Sequence, residues 1–297
     1  MKGLKKATLG LAIATVPWFA HGITPMDDQA LGEVTGQAGV TIELDTRVTI
    51  DQIDYSQGPN TGSVLVNDIE LGGFGNVGNL TENLDFRIDV DLQENGDALI
   101  RFGPMGFNPV DVGVSIGSAG LSDSMGFNTA TLIANFDMRA WVTGLDILAK
   151  VEDLQGNTGG SGSLEVEAFF SVENLDVDFD VAAVSLEGFR MGGPGSLEGA
   201  NSSSVGLIDE PYFPNSNSVR LSLETVNAQL AIGAGSALSS TGPSETLRVN
   251  VDNFVSDIWM PTINVGSGDS SGAASIGSVA IDHLDITGTE MAIYGRQ

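Results

Sequence analysis

The sequence predicts an all-β fold, and three observations carry that prediction. Apolar and polar residues alternate with a period of two along most of the chain, Gly-, Ser-, Pro- and Asn-rich stretches separate the alternating runs, and helical periodicity is nearly absent after residue 36. In the first run Val40, Ile42, Leu44, Val48 and Ile50 stand against Thr41, Glu43, Asp45, Arg47, Thr49 and Asp51, the pattern of a strand with one wet face. Leu84, Phe86, Ile88, Val90 and Leu92 repeat it, and Asn95-Gly96 precedes Ala98, Ile100 and Phe102, which predicts a hairpin with a tight turn. Similar runs occupy about 130–151, 164–191, 219–232, 247–258 and 276–293.

Several runs change phase once instead of stopping. Leu132 to Ala140 gives way past Thr143-Gly144 to Leu145, Ile147, Ala149 and Val151, and Leu164 to Val172 gives way past Asn174 to Leu175, Val177, Phe179 and Val181. Val219, Leu221 and Leu223 shift to Val226 and its successors, while Val279 and Ile281 shift to Leu284 and Ile286. A slip of one residue reverses the buried face, so each flip predicts a bulge or bend by which one strand serves two packed sheets. The expected architecture is an elongated antiparallel sandwich or partly rolled barrel of long bent strands with one short N-terminal helix, a β-solenoid being the alternative. Weak internal repetition accompanies it: Gly62 to Gly73 resembles Gly277 to Gly288, and Glu82-Asn83-Leu84-Asp85 recurs as Glu173-Asn174-Leu175-Asp176. Unequal spacing between copies argues against a regular array.

Lys2, Lys5 and Lys6 precede an apolar run from Ala7 to Ala20, and Ala20-His21-Gly22 offers small residues for a signal peptidase. The reading is residues 1–22 as signal peptide, 23–39 as a short helix and recognition-like segment, and 40–297 as a single all-β domain. The expected location is exported: periplasm, outer-membrane surface or extracellular, with no transmembrane anchor after cleavage. Loss of the signal takes the net charge from −27 to −30. Such a field repels nucleic acid and anionic lipid, whose binding rests on Lys and Arg. The 41% hydrophobic content and 17% charged content argue for a folded chain, and the absence of cysteine leaves stability to burial and backbone pairing. An outer-membrane barrel fits poorly, because aromatic residues make up 6% and form no girdles.

Little in the chain can do acid–base or nucleophilic chemistry. Beyond residue 22 it holds one histidine, His283, and one lysine, Lys150. Gly268-Asp269-Ser270-Ser271-Gly272 satisfies G-x-S-x-G but lies in a Gly/Ser/Ala loop between strand patterns, where a nucleophile elbow needs a strand before and a helix after. His283, in phase with Val279 and Ile281, reads as a partly buried strand residue. A catalytic acid would have to sit off the alternating pattern, and Asp209-Glu210, beside turns at Pro211 and Pro214, is the best such candidate. The expectation is a protein that is not an enzyme. Asp176, Asp178 and Asp180 share one strand face, and three such carboxylates favour a hard cation, so calcium is the one candidate cofactor.

The segment Met26-Asp27-Asp28-Gln29-Ala30-Leu31-Gly32-Glu33-Val34-Thr35-Gly36-Gln37-Ala38-Gly39-Val40-Thr41-Ile42 is the most distinctive in the chain. It resembles the FilA-like pilus-system proteins of Gram-negative bacteria. The resemblance implies an exported β-rich chain in a cell-surface filament system and carries over no catalytic residue. Physically, Thr24 can cap a short helix, Pro25 suits its first position, Asp27 and Asp28 favour its positive end and Gly36 ends it. Leu31, Val34, Gly36 and Gln37 also resemble the leader of double-glycine exported peptides, with Gln37 in place of the second glycine. Met26, Asp27, Asp28, Leu31, Val34, Gly36 and Gln37 are therefore the candidate partner-recognition residues, a short helix needing a docking surface in this chain or on a partner. The functional expectation is a non-enzymatic structural or accessory subunit of a fimbrial, pilus-like surface assembly, its partners being other assembly proteins or further copies of itself. The alternative is a periplasmic or outer-membrane-associated protein that binds an apolar ligand.

Overall fold

The computed structural model describes residues 39–295 except 57, 59–60, 74–79, 81, 126, 198–205, 209–224 and 267–272. The proposed signal, the N-terminal helix, the recognition segment, the Ser270 loop, Asp209-Glu210 and the flip at Val219 to Leu223 all lie outside the described residues. Thirteen strands follow in chain order: β1 (Val40–Thr46), β2 (Val48–Ser56), β3 (Ser63–Gly72), β4 (Leu84–Leu92), β5 (Ala98–Gly103), β6 (Val110–Ser122) and β7 (Asn128–Glu152). Then come β8 (Thr158–Phe179), β9 (Val184–Gly192), β10 (Val226–Gly235), β11 (Thr246–Val265), β12 (Ala274–Asp285) and β13 (Thr289–Ile293). A single 3-10 turn, Asp180–Ala182, is the only helical element among the described residues.

The all-β prediction holds, and every strand pair is antiparallel within one continuous sheet. That sheet has two leaves. In one the order is β1-β4-β5-β7-β8-β10-β11-β13, and in the other β2-β3-β6-β7-β8-β9-β11-β12. The leaves share β7, β8 and β11, whose two halves pair with different neighbours. Within β7, for example, Val110 to Ser122 of β6 pair with the first half and Ala98 to Phe102 of β5 with the second. A straight strand of the length of β7 would span about 80 Å at 3.3 Å per residue, so it must bend, and the bends align in a crease between the leaves.

The phase flips mark those bends. In β7 Val142 faces Phe170 and Gly144 faces Phe169, leaving Thr143 as the extra residue of a bulge. Arg139 faces Asn174 and Ala140 faces Val172, which makes Glu173 the extra residue in β8. In the β11–β12 pairing Ser256 faces Leu284 and Ile258 faces Ile281, with His283 at φ 56 in the break. The structure differs from the expectation in one respect: the flips do not reverse the buried side. Val142 and Leu145, on either side of the Thr143 bulge, line the same hollow, because a bulge sets two residues against one and absorbs the extra one. The leaves thus turn their apolar sides inward together, as a folded sheet whose outer strands, among the described residues, do not pair with each other. His283 is exposed and not partly buried as expected, since its left-handed backbone breaks the alternation that placed it.

Apolar rows cross the sheet in register. Ile42, Ile88, Phe102, Leu145, Ala168, Ala228 and Phe254 form one across seven strands of the first leaf. Val112, Ala140, Val172, Met191, Ile258 and Ile281 form one in the second. Burial is concentrated at the crease, where Val110, Ala140, Val172, Val226, Ala228 and Ile258 are buried, and it falls off toward the outer strands. The predicted hairpin is present: Gln93 N donates to Asp97 O at 2.8 Å, Gly96 N donates to Gln93 O at 3.0 Å, and Gly96 takes φ 93, which its missing Cβ permits.

Candidate functional site: crease and open edges

The inner side of the crease is apolar. Leu84 and Phe86 of β4, Phe102 of β5, Val110 and Val112 of β6, and Val142 and Leu145 of β7 line a hollow of about 180 Å³, and Phe86 and Phe102 stand with ring centroids 6.3 Å apart. No charged side chain lines this hollow, so it can take an apolar group and offers nothing that could polarise one.

The outer side of the crease is polar and covered by loops. Trp141, 2% exposed, packs against Leu80 from the segment after β3, and its Nε1 donates to Glu173 Oε2 at 2.9 Å. Gly113 lies beneath Leu80, and a Cβ there would meet Leu80 Cδ2 at 1.9 Å. Asp257 is fully buried: Oδ2 accepts Leu197 N at 3.1 Å and Oδ1 accepts His283 N at 2.9 Å, tying the loop after β9 and the kink of β12 to β11. Arg190 Nη1 donates to Leu207 O at 2.8 Å, and burial lowers the Arg190 pKa while Glu173 pulls it back up. These groups hold backbone in place. The one lysine of the strands, Lys150, donates to Glu165 Oε1 at 2.6 Å.

The acidic ladder divides between two elements. Asp176 and Asp178 are on β8, while Asp180 opens the 3-10 turn. Asp176 Oδ1 accepts Gly188 N at 2.6 Å and Oδ2 accepts Asn174 Nδ2 at 2.9 Å; Asp178 Oδ2 accepts Asn135 Nδ2 at 2.7 Å. Oδ1 of Asp180 is buried without a hydrogen bond from the protein. Among the described residues no group of three His, Cys, Asp or Glu side chains is arranged to hold a metal ion. The alternation that placed these three carboxylates on one face says nothing of the amides around them, and those amides bond both oxygens of Asp176 and Oδ2 of Asp178.

The edges are the other open feature. Among the described residues β1 and β2 are paired only with β4 and β3, and β12 and β13 only with β11. Val48, Ile50, Ile53 and Tyr55 on β2, Ile276 and Val279 on β12 and Met291 and Ile293 on β13 are exposed. Sequence reasoning placed these strands but missed that they end the sheet, because pairing partners far apart in the chain leave no mark on local alternation. No helix among the described residues is long and apolar enough to cross a membrane.

No curated protein and no solved structure matches the chain. Residues 1–92 match the model of a family of unknown function (DUF6160), a stretch that ends with β4 and so takes in the β1 and β2 edge with the strands it pairs to.

Proposed function

We propose that this chain is an exported, non-enzymatic structural or accessory subunit of a pilus-like cell-surface assembly. The observation that carries the reading is the set of four outer strands, each with one edge unpaired among the described residues and with exposed apolar side chains, since such edges are templates for pairing with another chain. The resemblance of Met26 to Ile42 to FilA-like proteins supports it, with Met26, Asp27, Asp28, Leu31, Val34, Gly36 and Gln37 as the segment that meets a partner. The test is fractionation of cells together with electron microscopy and sedimentation of the purified chain. Export with ordered assemblies is expected; a cytoplasmic monomer at all concentrations overturns the reading.

The apolar hollow at the crease favours a second reading, a periplasmic or outer-membrane-associated protein that carries an apolar ligand. Lipid co-purifying with a monomer would select it. Calcium at Asp176, Asp178 and Asp180 is also carried as a proposal, resting on the unbonded Asp180 oxygen. A rise in melting temperature with millimolar calcium but not magnesium supports it, and unchanged melting removes it.

A further inference from the structure

β1 and β2 succeed one another through Arg47 and form one margin of the folded sheet across both leaves, and β12 and β13, joined through Ile286 to Gly288, form the opposite margin. We infer that the two margins are complementary, so that a second copy of this chain adds its β1–β2 margin to the β12–β13 margin of the first. The inference rests on the surface-assembly reading and specifies its contact.

Strand parity is the first argument. Among the described residues each leaf has eight strands with antiparallel neighbours throughout, so β1 and β13 run in opposite directions, and so do β2 and β12. A copy placed head to tail therefore continues the antiparallel alternation in both leaves at once. An odd number in either leaf would force a parallel junction there.

The second argument is shape. Both margins break where the crease crosses them, at Arg47 on one side and at Ile286 to Gly288, with Gly288 at φ 68, on the other. One rigid placement can then bring both halves of each margin together. The inner apolar side continues across the junction, because Val40 of β1 and Val48 of β2 end rows on one margin and Met291 of β13 and Val279 of β12 end rows on the other, all four exposed.

The third argument comes from the internal repeat. Aligning Gly62 to Gly73 with Gly277 to Gly288 sets Asp68 against His283, and these two residues share a left-handed backbone, φ 53 and φ 56. The repeat thus has a structural counterpart: β3 and β12 carry a left-handed residue at the same place in it. β3 has antiparallel neighbours on both sides, β2 and β6, whereas β12 has β11 alone among the described residues. A strand built for two partners is left with one, and the copy's β2 supplies the other. Such a contact joins unlike surfaces, so it adds further copies, into a ring if the rotation closes and a filament if it does not, and does not stop at a twofold pair.

Because the chain has no cysteine, single cysteines report the contact without background. Full-length Thr49→Cys and Ala280→Cys proteins, both substituted at exposed sites on the margins, are treated with a flexible bis-maleimide. A covalent dimer is expected only when the two variants are mixed, and a ladder of oligomers from the double variant. A dimer from either variant alone, as strong as in the mixture, overturns the inference in favour of a twofold pair. Large wild-type particles with no cross-link between the margins also overturn it while leaving surface assembly standing. A wild-type chain that stays monomeric removes both. Should either variant melt below wild type, Asp51→Cys with Ser278→Cys repeats the measurement at neighbouring positions.

Discussion

Asp257 shows how much a single side chain fixes at the crease. It is an acid inside an apolar stretch of β11, fully buried, and both oxygens accept backbone N–H groups from segments distant in the chain. Asp257→Ala leaves two part-buried donors without their acceptor, so a loss of roughly 1–3 kcal/mol is expected in urea unfolding, with Asp257→Asn intermediate. Nothing in the sequence marked it, since one Asp among alternating residues looks like any solvent-facing acid. Asp137 behaves differently: burial raises its pKa above the usual aspartate range, Arg139 opposes the rise and Asp176 adds to it. An acid with a raised folded pKa binds its proton more tightly in the folded chain, so its ionised form costs stability above that pKa and the cost fades as pH falls toward the unfolded value. Asp137→Asn is expected to melt above wild type at about pH 7, with the gap closing near pH 4; a gap that widens on acidification would contradict the assignment.

At the scale of elements, the bends are the part of the fold most legible in the sequence. The flips at Thr143-Gly144, at Asn174 and between Ile281 and Leu284 each fall at a register break. They were readable because a period of two makes one inserted residue visible. What the flips could not disclose is that both halves belong to one sheet, for a bulge and a reversal of the buried face leave the same trace in sequence. Deleting Thr143 separates the two cases. Without the bulge, Gly144 to Glu152 must turn their apolar side outward or lose register with β8, and loss of the cooperative melt is expected by circular dichroism. A deletion variant that melts like wild type would mean that the extra residue is not what joins the leaves. The Asp68 and His283 kinks were legible only as a weak repeat, since left-handed backbone at Asp and His carries no compulsory residue type.

For the molecule as a whole, charge opposes association. The net charge is −27, and Asp51 and Asp54 on one margin face the situation of Asp282 and Asp285 on the other, all exposed and all of one sign. Assembly through these margins is therefore expected to strengthen with salt, which shortens the screening length from about 30 Å at 0.01 M to about 3 Å at 1 M. Sedimentation velocity across that range measures it, and particles that shrink as salt rises would point to contacts between opposite charges instead.

Both leaves share one further property: reading across either of them, strand numbers only increase. No strand has to be inserted between two that are already in place. A chain delivered N-terminus first can therefore lay down both leaves as it arrives, each new strand zipping onto the last, with short loop closures for most steps. Every intermediate along that path ends in a bare edge of the same kind as the finished margin. The acidic surplus then acts during folding as well, holding half-built sheets apart until the final strand is down.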